Sequence, residues 1–190
     1  WAAWKKLGDK ADYLAVYYDL PPPAGLKNKE VYLIDFTFPS EITKKIIKEN
    51  KRLVIIDHHF TSEERVKLAK EYIFDTNHSG AMLAWQYFHK NKPAPLLVKY
   101  IEDMDLWRFY LPRSKEITAY IELFDFNFKN WSKLSRDLEN SSKRKKMIAD
   151  GKLLFDYENR LIDRIIKEDA ELVKFAGYRT LAVNTQYAHS

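Results

Sequence analysis

The chain has 190 residues, 46% hydrophobic and 31% charged, which suits one globular domain with a sizeable core, or one domain and the start of a second. It carries no cysteine, so disulfides, thiolate metal sites and cysteine nucleophiles are excluded together, and any metal must be held by histidine and carboxylate. The formal charge of +5 permits a polyanionic partner without demanding one, no apolar run approaches the ~18 residues of a membrane span, and the expected setting is the cytoplasm.

In chain order, Trp1 to about Leu7 reads as a helix stopped by Gly8. No N-cap precedes it, which leads us to expect a piece of a longer chain. Tyr13–Tyr18 reads as a strand, and Pro21-Pro22-Pro23 with Gly25 as a rigid loop. Val31–Asp35 is a second apolar strand ending on a carboxylate, and Pro39-Ser40 opens a helix with Ile42, Ile46 and Ile47 on one face. Leu53–Ile56 is a third strand, followed by Asp57, and Thr61–Glu64 has the pattern of a capping box. Tyr72–Asp75 is a fourth strand. Helices are expected from Ser79 to about His89, from Pro95 to about Asp103, and, after a change of character at Trp131, from about Ser142 to Glu168. Arg179–Asn184 reads as a last strand. The basic run Lys143–Lys146 is a solvated helix face. Strands alternating with helices indicate an α/β fold, a parallel sheet flanked by helices on both faces and followed by a long connecting helix.

Ligands of open parallel sheets bind beyond the C-terminal ends of the strands, where Asp35 and Asp57 stand. His58 and His59 follow Asp57 at once. A further acidic group, Glu102, Asp103 and Asp105, lies at a helix C-terminus, where the helix dipole disfavours negative charge and a cation would compensate. Carboxylates with imidazoles suit manganese, iron, magnesium or zinc, with manganese favoured by this mixed set.

Asp57-His58-His59 after a buried strand, Asp35 in Leu33-Ile34-Asp35-Phe36, Ser79-Gly80-Ala81 opening a helix, and Ile101–Trp107 occur in the order that resembles the DHH phosphoesterase family, over about residues 1–126. The Asp-x-Asp-Leu-Trp segment is similar to that of members acting on oligonucleotides or cyclic nucleotides. The resemblance implies a manganese-dependent phosphodiesterase with two Mn2+ ions, or Mg2+ or another divalent ion in their place. It implies Asp35, His58 and Asp103 as metal ligands, with Asp105 the alternative to Asp103. It places His59 at the phosphate, Asp57 as the group orienting the histidines, Arg108 as a neutraliser of phosphoryl charge or a partner stacked on Trp107, and His78, Ser79 and Gly80 at the substrate.

The expected substrate is a short oligonucleotide or nucleotide phosphodiester, with inorganic pyrophosphate, or nucleotide binding without catalysis, as alternatives. The family's first metal motif and its second lobe have no counterpart in these 190 residues, so the chain by itself is expected to be weakly active or inactive. The expected organisation is a metal-binding domain over 1–126, a helical connector over 127–171 and the start of a further domain over 172–190.

Overall fold

Three short apolar runs build a parallel sheet in the order β1 (Glu30–Ile34), β2 (Arg52–Asp57) and β3 (Glu71–Phe74). The computed structural model describes residues 1–185, and within them the α/β architecture is as the sequence predicts. Helix α2 (Ser40–Glu49) connects β1 to β2, and a short helix α3 (Glu63–Val66) connects β2 to β3. Val54, Ile55 and Ile56 of the central strand are fully buried, because helices cover both faces of the sheet. Val54 and Ile56 pack with α1 (Ala2–Leu7), α4 (Gly80–Phe88) and α5 (Leu96–Asp105), whereas Leu53 and Ile55 pack with Phe36, Phe38, Ile46 of α2 and Val66 of α3. Ile42 and Ile47 flank Ile46 on the predicted apolar face of α2.

The register sets Ile34 opposite Ile56 and Asp57 opposite Phe74, so Asp35 and Asp57 emerge side by side at the C-terminal edge. A third core lies beyond the sheet, where Leu97 and Tyr100 of α5 meet Ile117 and Ile121 of α6 (Ser114–Ile121), Leu134 and Leu138 of α7 (Phe128–Glu139) and Met147 of α8 (Ser141–Asp169). The chain then turns back in a hairpin, β4 (Glu171–Phe175) and β5 (Tyr178–Ala182). Ala176 and Gly177 both have positive φ, as a two-residue hairpin turn requires. No helix among the described residues is long and apolar enough to cross a membrane.

Several expectations need correction. Tyr13–Tyr18 forms no strand, since no strand runs beside it among the described residues, and a β ladder exists only between partners. Thr61–Glu64 forms no capping box: Thr61 sits in a 3-10 turn, and the Ser62 hydroxyl donates to the His59 carbonyl at 2.8 Å instead of accepting from the next turn. Helices α6 and α7 and strand β4 go beyond the elements read from the sequence. Helix α7 and the first turns of α8 complete the core begun by α5. The predicted strand at Arg179–Asn184 is present as β5, two residues shorter at its end.

Candidate metal centre

The cluster is assembled where two strand ends meet the ends of two helices. β1 delivers Asp35, whose φ of 59° lies in the left-handed region while its N–H still donates to the Ile56 carbonyl at 2.8 Å. β2 delivers Asp57, His58 and His59. Helix α5 delivers Asp105 from its last residue, and α4 brings its N-terminus against Asp35. That close approach depends on Gly80, where an added Cβ would lie 2.3 Å from Asp35 Oδ1.

His58 is the centre of the arrangement. Its Nε2 is buried without a hydrogen-bond partner, yet it lies 3.2 Å from Asp35 Oδ1 and 3.4 Å from Asp105 Oδ2. Two ligands each about 2.1 Å from one ion, at octahedral to tetrahedral angles, stand about 3.0–3.4 Å apart. The three atoms therefore have the spacing of a shared cation and lack the alignment of hydrogen bonds. A ligand atom of His59 also falls within 4.8 Å of those of Asp35 and His58. Burial, then the Asp105 carboxylate, pushes the Asp35 carboxyl above its usual range, while His58 and His59 draw it back. A divalent cation would relieve the repulsion between the two acids.

Asp57 lies behind this cluster as its brace. It is fully buried and accepts from the Thr37 hydroxyl at 2.5 Å, from the backbone N–H groups of His58 at 2.7 Å and His59 at 3.1 Å, and its Oδ1 is 2.7 Å from His59 Nδ1. Burial alone would raise its pKa, but the hydrogen bonds from Thr37 and His59 outweigh it and hold the carboxyl below its ordinary value. With Nδ1 engaged, His59 keeps its other ring nitrogen for a ligand.

Asp103 does not join the cluster. It is buried, and its two oxygens accept from the backbone N–H groups of Tyr110 at 2.8 Å and Leu111 at 3.0 Å. Burial works against its charge; the Ser114 hydroxyl, near but outside hydrogen-bond geometry, and those two N–H groups hold its pKa down. Asp103 thus fixes the loop after α5, and Asp105 stands beside His58. Arg108 donates to the Asn77 carbonyl at 2.9 Å and makes no cation–π contact with Trp107, which leaves its guanidinium tying this loop to the entry of α4.

Ser79 is buried and its hydroxyl accepts from Met82 N–H, capping α4, so its side chain is occupied while Gly80 carries the close approach to Asp35. His78 places Nδ1 3.2 Å from Glu102, whose carboxylate also accepts from Ser79 N–H at 3.4 Å. Thr37, signalled only by its place two residues after Asp35, and Glu102, legible only as one member of the acidic group at the end of α5, have no individual role in the sequence. Two cavities, of about 410 and 630 Å3, are lined by other residues.

No protein-family model matches the chain, and no solved structure matches it. Among curated proteins, the chain is similar to the uncharacterized protein R106 of Acanthamoeba polyphaga mimivirus, 28% identical over 151 residues that make up 78% of this chain and 35% of the relative. The chain thus spans about a third of that relative's length. That relative's name states no activity, and the chemistry is argued from the cluster itself.

Proposed function

We propose that Asp35, His58 and Asp105, with His59 beside them, hold a divalent cation, manganese by ligand type, and that the chain is the metal-binding part of a phosphoesterase of the DHH kind acting on short oligonucleotides or nucleotide phosphodiesters. The observation that carries this reading is the buried, unpartnered His58 Nε2 between two carboxylate oxygens. Such a nitrogen is costly to bury unless it has a ligand.

A bound cation supplies Lewis acidity, bringing the pKa of water toward neutrality and offsetting phosphoryl charge. The chain's own groups do the rest. Asp57 fixes His59 through Nδ1, which leaves the other ring nitrogen to donate to a phosphoryl oxygen when the imidazole carries a proton there. Arg108, three residues after Asp105 and held at the Asn77 carbonyl, would add positive charge for the phosphoryl group. Trp107 is 77% exposed and only two residues beyond Asp105, which favours a substrate bearing a base over pyrophosphate, since base stacking is worth roughly 1–3 kcal/mol.

Calorimetric titration with manganese tests the ligand set. Asp35→Ala, His58→Ala and Asp105→Asn should each weaken binding by more than tenfold, whereas Asp103→Asn should lower stability and leave the affinity of the folded protein nearly unchanged. Equal affinity in the Asp105 and Asp35 variants and the parent would overturn the assignment. Manganese-dependent kcat/KM for a dinucleotide, a cyclic nucleotide and pyrophosphate then separates the substrates, and a preference for pyrophosphate would refute the role given to Trp107.

A further inference from the structure

Helix α5 brings two carboxylates to two histidines, and only one of those pairs belongs to the candidate metal cluster. Asp105 stands by His58, while Glu102, one helical turn earlier, meets His78, whose Nδ1 lies 3.2 and 3.3 Å from the two carboxylate oxygens. The pairs differ in kind. His58 Nε2 has no hydrogen bond to either acid near it, whereas His78 Nδ1 is hydrogen-bonded to Glu102. An ionised carboxylate can only accept, so the proton of this bond sits on Nδ1. That fixes the tautomer and leaves Nε2 for a substrate; among the described residues it has no hydrogen-bond partner.

Both partners are held in place. The Glu102 side chain is 13% exposed and also accepts from Ser79 N–H at 3.4 Å, while His78 keeps 36% of its side chain open. On the other side of His78, the Asn77 carbonyl accepts from Arg108 at 2.9 Å, and Asn77 N–H donates to Asp75 Oδ1 at 2.8 Å. The turn that carries His78 is thus pinned to α5 and to the loop after it. That turn leads into Gly80, where an added Cβ would lie 2.3 Å from Asp35 Oδ1, and two residues of chain span at most about 7 Å. Glu102 and Asp105 stand three apart on one helix, a spacing that sets Cβ atoms ~5–6 Å from each other. The dyad is therefore tethered near the cluster twice, through α4 and through α5.

We propose that His78 is the general acid of the phosphodiester cleavage proposed above, with Glu102 as its positioning residue; the assignment rests on that reading. Cleavage joins a water oxygen to phosphorus and breaks the bond from phosphorus to the leaving oxygen. The electron pair of the broken bond stays on that oxygen, which takes the proton from His78 Nε2 and departs as an alcohol. The attacking water gives a proton to solvent and Nε2 regains one from solvent, so the ring ends as it began. The acid form carries a proton on each nitrogen, and the Glu102 carboxylate offsets its charge. A nucleoside alkoxide leaves poorly without such a proton, and a positioned acid contributes roughly 10²–10⁴-fold. His59 is less suited to the task, because its Nδ1 lies 3.9 Å from Asp35 Oδ1 and the ring belongs to the cluster, where a cation would oppose its protonation.

Leaving-group dependence tests the assignment, with the manganese-loaded full chain in excess over the ester so that slow cleavage is measurable. A dinucleotide must expel an alkoxide, whereas the nitrophenyl ester of a nucleoside monophosphate expels a stable phenolate that needs no acid. His78→Gln keeps a hydrogen-bond donor and loses the transferable proton, so it should slow the dinucleotide about a hundredfold and the nitrophenyl ester about threefold. Glu102→Gln should show the same selectivity at about tenfold, and the double variant should be no slower than His78→Gln, as befits a residue acting through another. In the metal-free chain, heteronuclear NMR of the histidine rings should show neutral His78 protonated at Nδ1, a preference that Glu102→Gln weakens. Equal losses on the two esters would reduce His78 to a phosphate contact and overturn the proposal. So would undiminished dinucleotide cleavage by folded His78→Gln, additive losses in the double variant, or a neutral His78 ring protonated at Nε2. Manganese titration of both variants should match the parent. A parent chain that binds manganese and cleaves neither ester would overturn the phosphoesterase reading and this one together, which sets that failure apart from the failure of the acid alone.

Discussion

Asp35 occupies a left-handed conformation that costs a non-glycine residue free energy, and it does so where Gly80 leaves no space for a side chain. Those two facts make Gly80 a positioning residue. Gly80→Ala adds a Cβ that must displace the Asp35 carboxylate, so manganese affinity should fall by tenfold or more while the fold survives, measured by calorimetry beside a thermal melt. Unaltered affinity would show that Asp35 is not held by this contact. Thr37 and Asp57 make a pH-dependent brace. Because the folded Asp57 pKa is lowered from an ordinary 3.8, its contribution to stability is complete above that value and is lost as pH falls through the folded value. Thr37→Val should therefore cost about 1–3 kcal/mol at pH 7, and the difference should shrink below about pH 3.8 in urea titrations. A gap that stayed constant down to pH 2 would contradict that account. The choice between Asp103 and Asp105 was open in the sequence for a geometric reason: residues two apart on a helix point about 200° apart, so only one of them faces His58. Which one does depends on the loop that Asp103 holds, and that is a tertiary contact.

At the scale of elements, the strands that carry the site were legible because Val31–Ile34 and Leu53–Ile56 are uninterrupted apolar runs ending on acids. Tyr13–Tyr18 has similar composition and forms no strand, because composition states a preference and a ladder needs a neighbour. Helix α6 is not legible in the sequence, since its N-cap residue Arg113 is left-handed and makes no side-chain cap, directly after Pro112. Its role shows instead at Gly151 of α8, where an added Cβ would lie only 1.9 Å from the Glu116 carbonyl oxygen and 3.2 Å from Tyr120 Cβ. Glycine inside a helix ordinarily costs about 1 kcal/mol relative to alanine. The contact reverses that preference. Gly151→Ala should destabilise by about 1–3 kcal/mol through overpacking against backbone that has no freedom to yield, seen as a lower urea midpoint. A stabilised variant would mean that α6 and α8 separate easily.

Across the whole molecule, stability is concentrated in the first three-quarters of the chain. Helix α8 has 29 residues, about 43 Å at 1.5 Å per residue, yet its buried residues are Met147 and Gly151, both in its first half. Further along, Leu153, Tyr157, Ile162 and Ile166 are exposed, and they lead into a two-stranded hairpin whose Leu172, Phe175, Tyr178 and Leu181 are exposed as well. A lone hairpin is marginal in water, and a helix turn with no packed face opens at little cost. Limited proteolysis of the full chain should therefore cut first within residues 153–182, leaving a resistant fragment that contains the sheet, the candidate metal cluster and the α5–α8 core. Mass spectrometry locates the cuts. The fragment should keep the parent's manganese affinity, because Asp35, His58 and Asp105 all lie within it. Initial cleavage inside β1, β2 or α5, or loss of manganese binding with the tail, would show that the exposed helix and hairpin support the cradle after all.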